Sequence, residues 1–252
     1  MTTKNTFFKT VYGHWANLFE CPIDLFSKQG IYIFADDQYT DKKLVLYHID
    51  KLAVIRISPV LIKEAGLKAG FQAYDKPISP QILSTLLGSD YKFERKSTLL
   101  DYFLAPADFI PQPAPEGFRL QHLDPKADEA ILLKLFNACT PEELDDADII
   151  LGEPDPVIMG LIYNGELVAY ASHRYWGDDE IADMGVLIHP KYRGRGLGKA
   201  IVASLCKWCI QHNVVPMYRV FDENRISQKI PIKLGFQELI PIHSFSIDNE
   251  TN

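Results

Sequence analysis

Between residues 193 and 199 the chain reads Arg-Gly-Arg-Gly-Leu-Gly-Lys, at the point where the apolar run Val186-Leu187-Ile188 stops and the longest amphipathic stretch begins. Leu197, Ile201, Leu205 and Trp208 follow at i, i+4, i+8 and i+11, the spacing of one helix face running to about His212. A strand that hands over to a helix through alternate glycines leaves backbone N–H groups bare of side chains. The first four donors of a helix lack internal partners, and the macrodipole adds about half a positive charge there. The junction is therefore predicted to be an anion pocket, with Arg193 and Arg195 adding charge and forked donors for phosphate oxygens.

The chain around this junction has 252 residues, 47% hydrophobic and 23% charged, the composition of a folded protein large enough for two cores. Three alternate prolines, Pro111, Pro113 and Pro115, fix φ and withhold hydrogen-bond donors, so 111–116 is expected to be a stiff linker between an N-terminal domain (1–110) and a C-terminal one (117–252). In the first domain Gly30 to Ala35, Leu44 to Ile49 and Leu52 to Ile57 read as strands, the last two forming a hairpin at Asp50-Lys51. Pro59 to Lys68 and Ser79 to Leu87 read as helices, each opened by Ser-Pro. This half is α+β and carries no chemical motif.

In the second domain Phe118 to His122 reads as a strand, and Asp124-Pro125 opens a helix bearing Ile131, Leu132, Leu135 and Phe136 on or beside one face. The acidic run Glu142 to Asp148 reads as a solvated helix edge. Val157 to Tyr163, Leu167 to Tyr175 and Glu180 to Ile188 form an antiparallel meander, with Asn164-Gly165 at its first turn. After the long helix come a strand (Val215 to Phe221), a helix (Glu223 to Leu234) and a final strand, giving the order β-α-α-β-β-β-α-β-α-β.

No apolar run approaches the ~20 residues of a membrane helix, Met1 to Trp15 contains no apolar leader core, and four irregularly spaced Cys make no disulfide framework. A cytoplasmic location is the expectation. Residues 1–110 carry 13 Lys+Arg and 12 Asp+Glu, whereas 111–252 carry 13 and 21, a net of −8. That sign argues against nucleic acid and favours an amine-bearing, cationic ligand. Seven scattered His without ligand spacing suggest no metal site, and Cys206-Lys207-Trp208-Cys209, about three turns into a helix, reads as packing.

A dinucleotide fingerprint needs a sixth-position Gly or Ala after Gly194, where Lys199 stands, and a Walker A loop needs Ser or Thr where Ala200 stands. Arg193-Gly194-Arg195-Gly196-Leu197-Gly198 instead fits R/Q-x-x-G-x-G/A. With Val186-Leu187-Ile188-His189-Pro190 before it, and Asn224-Arg225-Ile226-Ser227 leading to Lys233-Leu234-Gly235-Phe236 after it, residues 116–245 resemble the GNAT superfamily of N-acetyltransferases. The resemblance implies an α+β domain with a mixed, mostly antiparallel sheet flanked by helices. It implies acetyl-CoA as cosubstrate, no metal, and direct transfer of acetyl to a primary amine, carried by a small molecule or peptide. Arg193, Gly194, Arg195, Gly196, Leu197, Gly198 and Lys199 would hold the diphosphate, and Val186, Leu187 and Ile188 the pantetheine arm. Asn224 and Ser227 would complete the coenzyme site, and the backbone N–H of Leu187, or else that of Ile188, would polarise the acetyl carbonyl.

Two features depart from the family. Pro231 stands where many relatives carry a Tyr acid, and Arg219 and Ala182 stand where relatives place a Glu base. Asp183 is the first candidate base, with Tyr218 and His173 behind it. A non-catalytic acyl-CoA sensing module, a longer acyl donor and an oxygen acceptor stay open, as do a homodimer and a decayed GNAT-like half in 1–110.

Overall fold

The computed structural model describes residues 4–39, 43–75, 82–88, 91–176 and 180–249. The chain divides into two compact units, one made of Met1–Val11, Tyr102–Arg219 and Arg225–Gln237, the other of Tyr12–Asp101, Val220–Asn224 and Glu238–Asn252. The opening helix α1 (Lys4–Leu18) carries Phe7, Val11 and Trp15 at i, i+4 and i+8, all three buried.

The unit containing Tyr12–Asp101 is built on β1 (Gly30–Ala35), β2 (Lys43–Ile49), β3 (Leu52–Ile57), α2 (Pro59–Glu64), β4 (Gly70–Ala73), α3 (Ile82–Leu87) and β5 (Tyr91–Phe103). The β2–β3 hairpin forms as the sequence predicts, with Asp50 at φ 51° in its turn. Ser58 caps α2, its Oγ accepting from Leu61 N–H at 3.1 Å, with Pro59 in the first turn. The corresponding Ser79-Pro80 lies outside the described residues. The core gathers Ile31, Ile33, Leu44, Leu46 and Ile55 with Phe245 and Ile247, which come from the far end of the sequence.

The second unit holds β6 (Arg119–Leu123), α4 (Glu129–Phe136), α5 (Pro141–Asp146), β7 (Val157–Tyr163), β8 (Glu166–Trp176), β9 (Ile181–Ile188), α6 (Leu197–Gln211), β10 (Val215–Phe221) and α7 (Lys229–Leu234). Its strands lie in the order β10-β9-β8-β7-β6. β6 through β9 are antiparallel and β10 is parallel to β9, so the sheet is mixed. Alternation along β8 and β9 sends Tyr170, Ser172, Asp183 and Leu187 to the face covered by α4 and α5, and His173 and Met184 to the face covered by α6. Close packing shows at Gly185, where a Cβ would lie 2.1 Å from the Ala147 carbonyl oxygen just past α5.

The structure draws the division of the chain elsewhere than 111–116. The Pro-rich segment lies inside the unit that contains the loop, because Ile110 N–H donates to Leu234 O and Gly235 packs against the Asp108 carbonyl. The final strand, β11 (Gln237–Asn249), falls from Glu238 onward in the other unit, paired antiparallel with β2 and neighbouring β5. The helix expected over 223–234 is shorter, since residues 222–228 turn before α7 starts.

Candidate active site

The antiparallel meander ends at β9, and β9 ends at the glycine loop. Pairing between β9 and β10 covers only Ile181, Ala182 and Asp183 against Val215, Pro216 and Met217, after which both strands continue without each other. The parallel pair thus opens like a V toward the loop. His189 N–H donates to Val168 O at 3.0 Å and Val215 N–H to Glu180 O at 2.8 Å. Odd-numbered residues of β9 therefore turn their backbone polar groups to β8, and even-numbered ones to the open side. This corrects one expectation: the Leu187 N–H faces β8, where Leu187 pairs with Tyr170, and the groups that face the opening belong to Val186 and Ile188.

At the mouth of the V the backbone conformation depends on glycine. Gly194 has φ 76° and Gly196, which caps α6, has φ 77°, and a Cβ on either would meet no atom within 4 Å. Gly198 serves packing instead, since a Cβ there would lie 3.0 Å from the Ile230 side chain of α7. The first bond of α6 runs from Ala200 N–H to Gly196 O, so the N–H groups of residues 194–199 donate to no acceptor among the described residues. The predicted row of bare donors is present.

The two loop arginines are arranged differently from the expectation that both face a phosphate. Arg193 donates from Nε to Ile188 O at 3.2 Å and pairs through Nη1 with Glu143 Oε1 at 2.6 Å. Arg195 is exposed and its guanidinium lies 5.2 Å over the Tyr192 ring. Leu197 is buried, and Lys199 is partly exposed on the first turn of α6. Asn224 sits in the exposed turn after β10, its N–H donating to Phe221 O, and Ser227 meets Tyr218.

Asp183 belongs to the last β9–β10 pair, at the crotch of the V on the α5 face, and is 7% exposed. It forms an ion pair with Arg219 at 2.5 Å, and the Arg219 guanidinium stacks 4.6 Å over Trp176. Burial pushes the Asp183 carboxyl above its ordinary range, with Asp148 and Asp155 adding to that direction and Arg219 opposing it. Beside it Asp155 accepts from Tyr170 Oη, Ser172 Oγ and Arg174 Nε, the last at 2.8 Å. Sequence reading missed this hub because Asp155 sits among turn residues, where a carboxylate is unremarkable.

Tyr218 is the first β10 residue beyond the last pair. Its hydroxyl lies 2.7 Å from Ser227 Oγ, and burial pushes its pKa up to about 12. His173 is not at the opening. It is buried on the α6 face beside Tyr175 and Trp208, and burial pulls its pKa down to about 4. Cys206 and Cys209 are buried in α6, their thiols pushed up by burial, and among the described residues no group of three metal-ligating side chains occurs.

A mixed sheet whose one parallel pair parts beside a bare glycine loop at a helix start is the framework of the GNAT acetyltransferases. Residues 125–236 match the model of the Acetyltransferase (GNAT) family. Among solved structures, the chain is similar to an acetyltransferase of the GNAT family from Colwellia psychrerythraea (16% identity, 77% of this chain and 76% of that one, TM-score 0.48). It is also similar to a GCN5-related N-acetyltransferase-like protein from Streptococcus suis (18% identity, 98% and 100%, TM-score 0.46). No curated protein matches the sequence.

Proposed function

We propose that the protein transfers the acetyl group of acetyl-CoA directly to a primary amine. The observation that carries this reading is the run of six backbone N–H groups, 194–199, without acceptors among the described residues at the start of a fifteen-residue helix, beside the unpaired edge of β9. These groups fit a diphosphate, because they offer neutral donors and a helix dipole in open space. Val186 and Ile188, with backbone groups directed to the opening, fit the amide-bearing arm as an added strand would. When bound, acetyl-CoA supplies a thioester whose thiol, of pKa about 8.5, is a fair leaving group.

The chain's part is to bind, orient and move protons. The Ile188 N–H, on the side of β9 left unpaired by β10, donates to the acetyl carbonyl oxygen in this reading. Asp183 takes the amine proton: it stands where the strands part, and its raised pKa makes it a stronger base than an ordinary carboxylate. Tyr218, still protonated at neutral pH, donates to the departing sulfur from the opposite face. The carboxylates of α5 and Asp148 favour a cationic acceptor.

Pro231, buried where relatives carry a Tyr acid, favours a second reading, a module that binds acyl-CoA without turnover. Thiol release from acetyl-CoA over polyamines, amino acids and N-terminal peptides separates the two. Both readings require CoA to raise the melting temperature, and both fail if it does not. Gly196→Glu should abolish CoA binding by placing a carboxylate among the loop donors, at a stability cost of about 1 kcal/mol for a side chain at positive φ. Calorimetry showing unchanged affinity would reject the placement.

A further inference from the structure

Arg174 and Asp183 stand directly opposite each other on β8 and β9, on the same face of the sheet. Such a register favours an ion pair between them, because directly opposed Cβ atoms lie about 5 Å apart. The structure pairs them otherwise. Arg174 donates from Nε to Asp155 Oδ1 at 2.8 Å, while Asp183 pairs with Arg219 of β10. Asp155, in the segment before β7, is 6% exposed and also accepts from Tyr170 Oη and Ser172 Oγ, so three donors from alternate residues of β8 converge on it. The charged groups around Asp183 are Arg219 from β10, Arg174 from β8, Asp148 just past α5 and Asp155 before β7, with Glu153 acting on Arg174. Two guanidiniums thus stand beside Asp183, and among the described residues only Arg219 is paired with it.

We propose that Asp155 is a positioning residue: it draws Arg174 into an ion pair of its own and so leaves Asp183 with one guanidinium partner in place of two. The inference rests on the functional reading above, which makes Asp183 the base. A second guanidinium would stabilise the charged carboxylate and weaken it as a proton acceptor, since an opposite charge within about 4–6 Å favours ionisation. Asp155 works against that twice, by occupying the Nε edge of Arg174 and by offsetting its charge. Its other donors fix it in place. Tyr170, Ser172 and Arg174 share one face of β8, so Asp155 is held along a strand and not by one flexible side chain. Both carboxylates are buried, where mobile ions screen charge far less than at the surface, so the choice of partner carries weight.

The test is an NMR titration of the Asp183 carboxyl carbon in the full chain, labelled with carbon-13 aspartate, its resonance identified by its absence in Asp183→Asn. In Asp155→Asn the Asp183 pKa should fall by about one pH unit, and in Asp155→Ser, which removes the same charge with less bulk to place, by about as much. In an Arg174→Met background the Asp155→Asn change should lose about half or more of its effect, because the guanidinium that it releases is gone. Tyr170→Phe disturbs the same cluster without freeing Arg174 and should move the titration by less than about 0.3 unit. An unmoved Asp183 in both Asp155 variants, an undiminished fall in the Arg174→Met background, or an equal fall in Tyr170→Phe overturns this proposal. The acid limb of the pH–rate profile for thiol release, measured with an amine that the screen above selects, should shift together with the NMR titration. A shifted titration with an unshifted limb supports the positioning role and overturns Asp183 as the base.

Discussion

His173 and Asp183 are one face of the sheet apart and show what burial does to opposite kinds of acid. His173 is 1% exposed and folded-state burial lowers its pKa to about 4. The unfolded chain therefore takes up a proton at higher pH than the folded one does. The neutral ring's stability contribution is complete above about pH 6.5 and is lost as pH falls toward 4, a change of about 3 kcal/mol across the window. His173→Phe should remove that part of the acid dependence, read as urea midpoints at pH 7 and pH 4.5. For Asp183 the sequence offered a carboxylate in a strand but not its partner; Arg219, 36 positions later, becomes its neighbour only through the parallel pairing of β9 and β10. Arg219→Met should destabilise by about 3 kcal/mol, because it strands a buried charge, and Asp183→Asn should restore part of that loss in the double variant. Asp183→Asn alone should lower turnover more than coenzyme affinity. An unaltered pH–rate profile would remove Asp183 as the base.

At the scale of elements, what the sequence made legible is what periodicity and turn chemistry encode. β7, β9, β10 and the start of the meander's first turn lie where alternation and Asn164-Gly165 put them, and Asn164 adopts φ 49°. β5 is not legible in the sequence, because Tyr91–Phe103 alternates only in its first half and is buried on both faces at its end. The roles of Leu187 and Ile188 could not be separated in sequence, since that depends on which neighbour each N–H faces, a matter of register. Likewise Gly198 and Gly185 look like other glycines until their neighbours are known. Gly185→Ala should cost about 2–3 kcal/mol, as the added methyl meets backbone oxygen and α5 must lift from β9. Thermal denaturation would check this, and a cost under about 0.5 kcal/mol would show that α5 yields freely.

For the molecule as a whole, the chain does not fold as two beads on a string. Its prolines suggested a cut at 111–116, but pairing partners decide unit membership, and β2 takes β11 as its partner, Tyr47 opposite Ile242. Fragments 1–110 and 117–252 should each fail to give a cooperative melt when expressed alone, because one lacks β11 and the other carries it unpaired. Mixing the two and recovering CoA-independent cooperative unfolding would be the complementary result. The separation of 195 positions from Tyr47 to Ile242 also sets a clock for biosynthesis. At about 5–20 residues per second, nascent β2 emerges with its edge bare for roughly 10–40 s before the strand that covers it is translated. An early, aggregation-prone edge of that duration gives chaperones a defined interval in which to act, and makes the pace of decoding a determinant of yield.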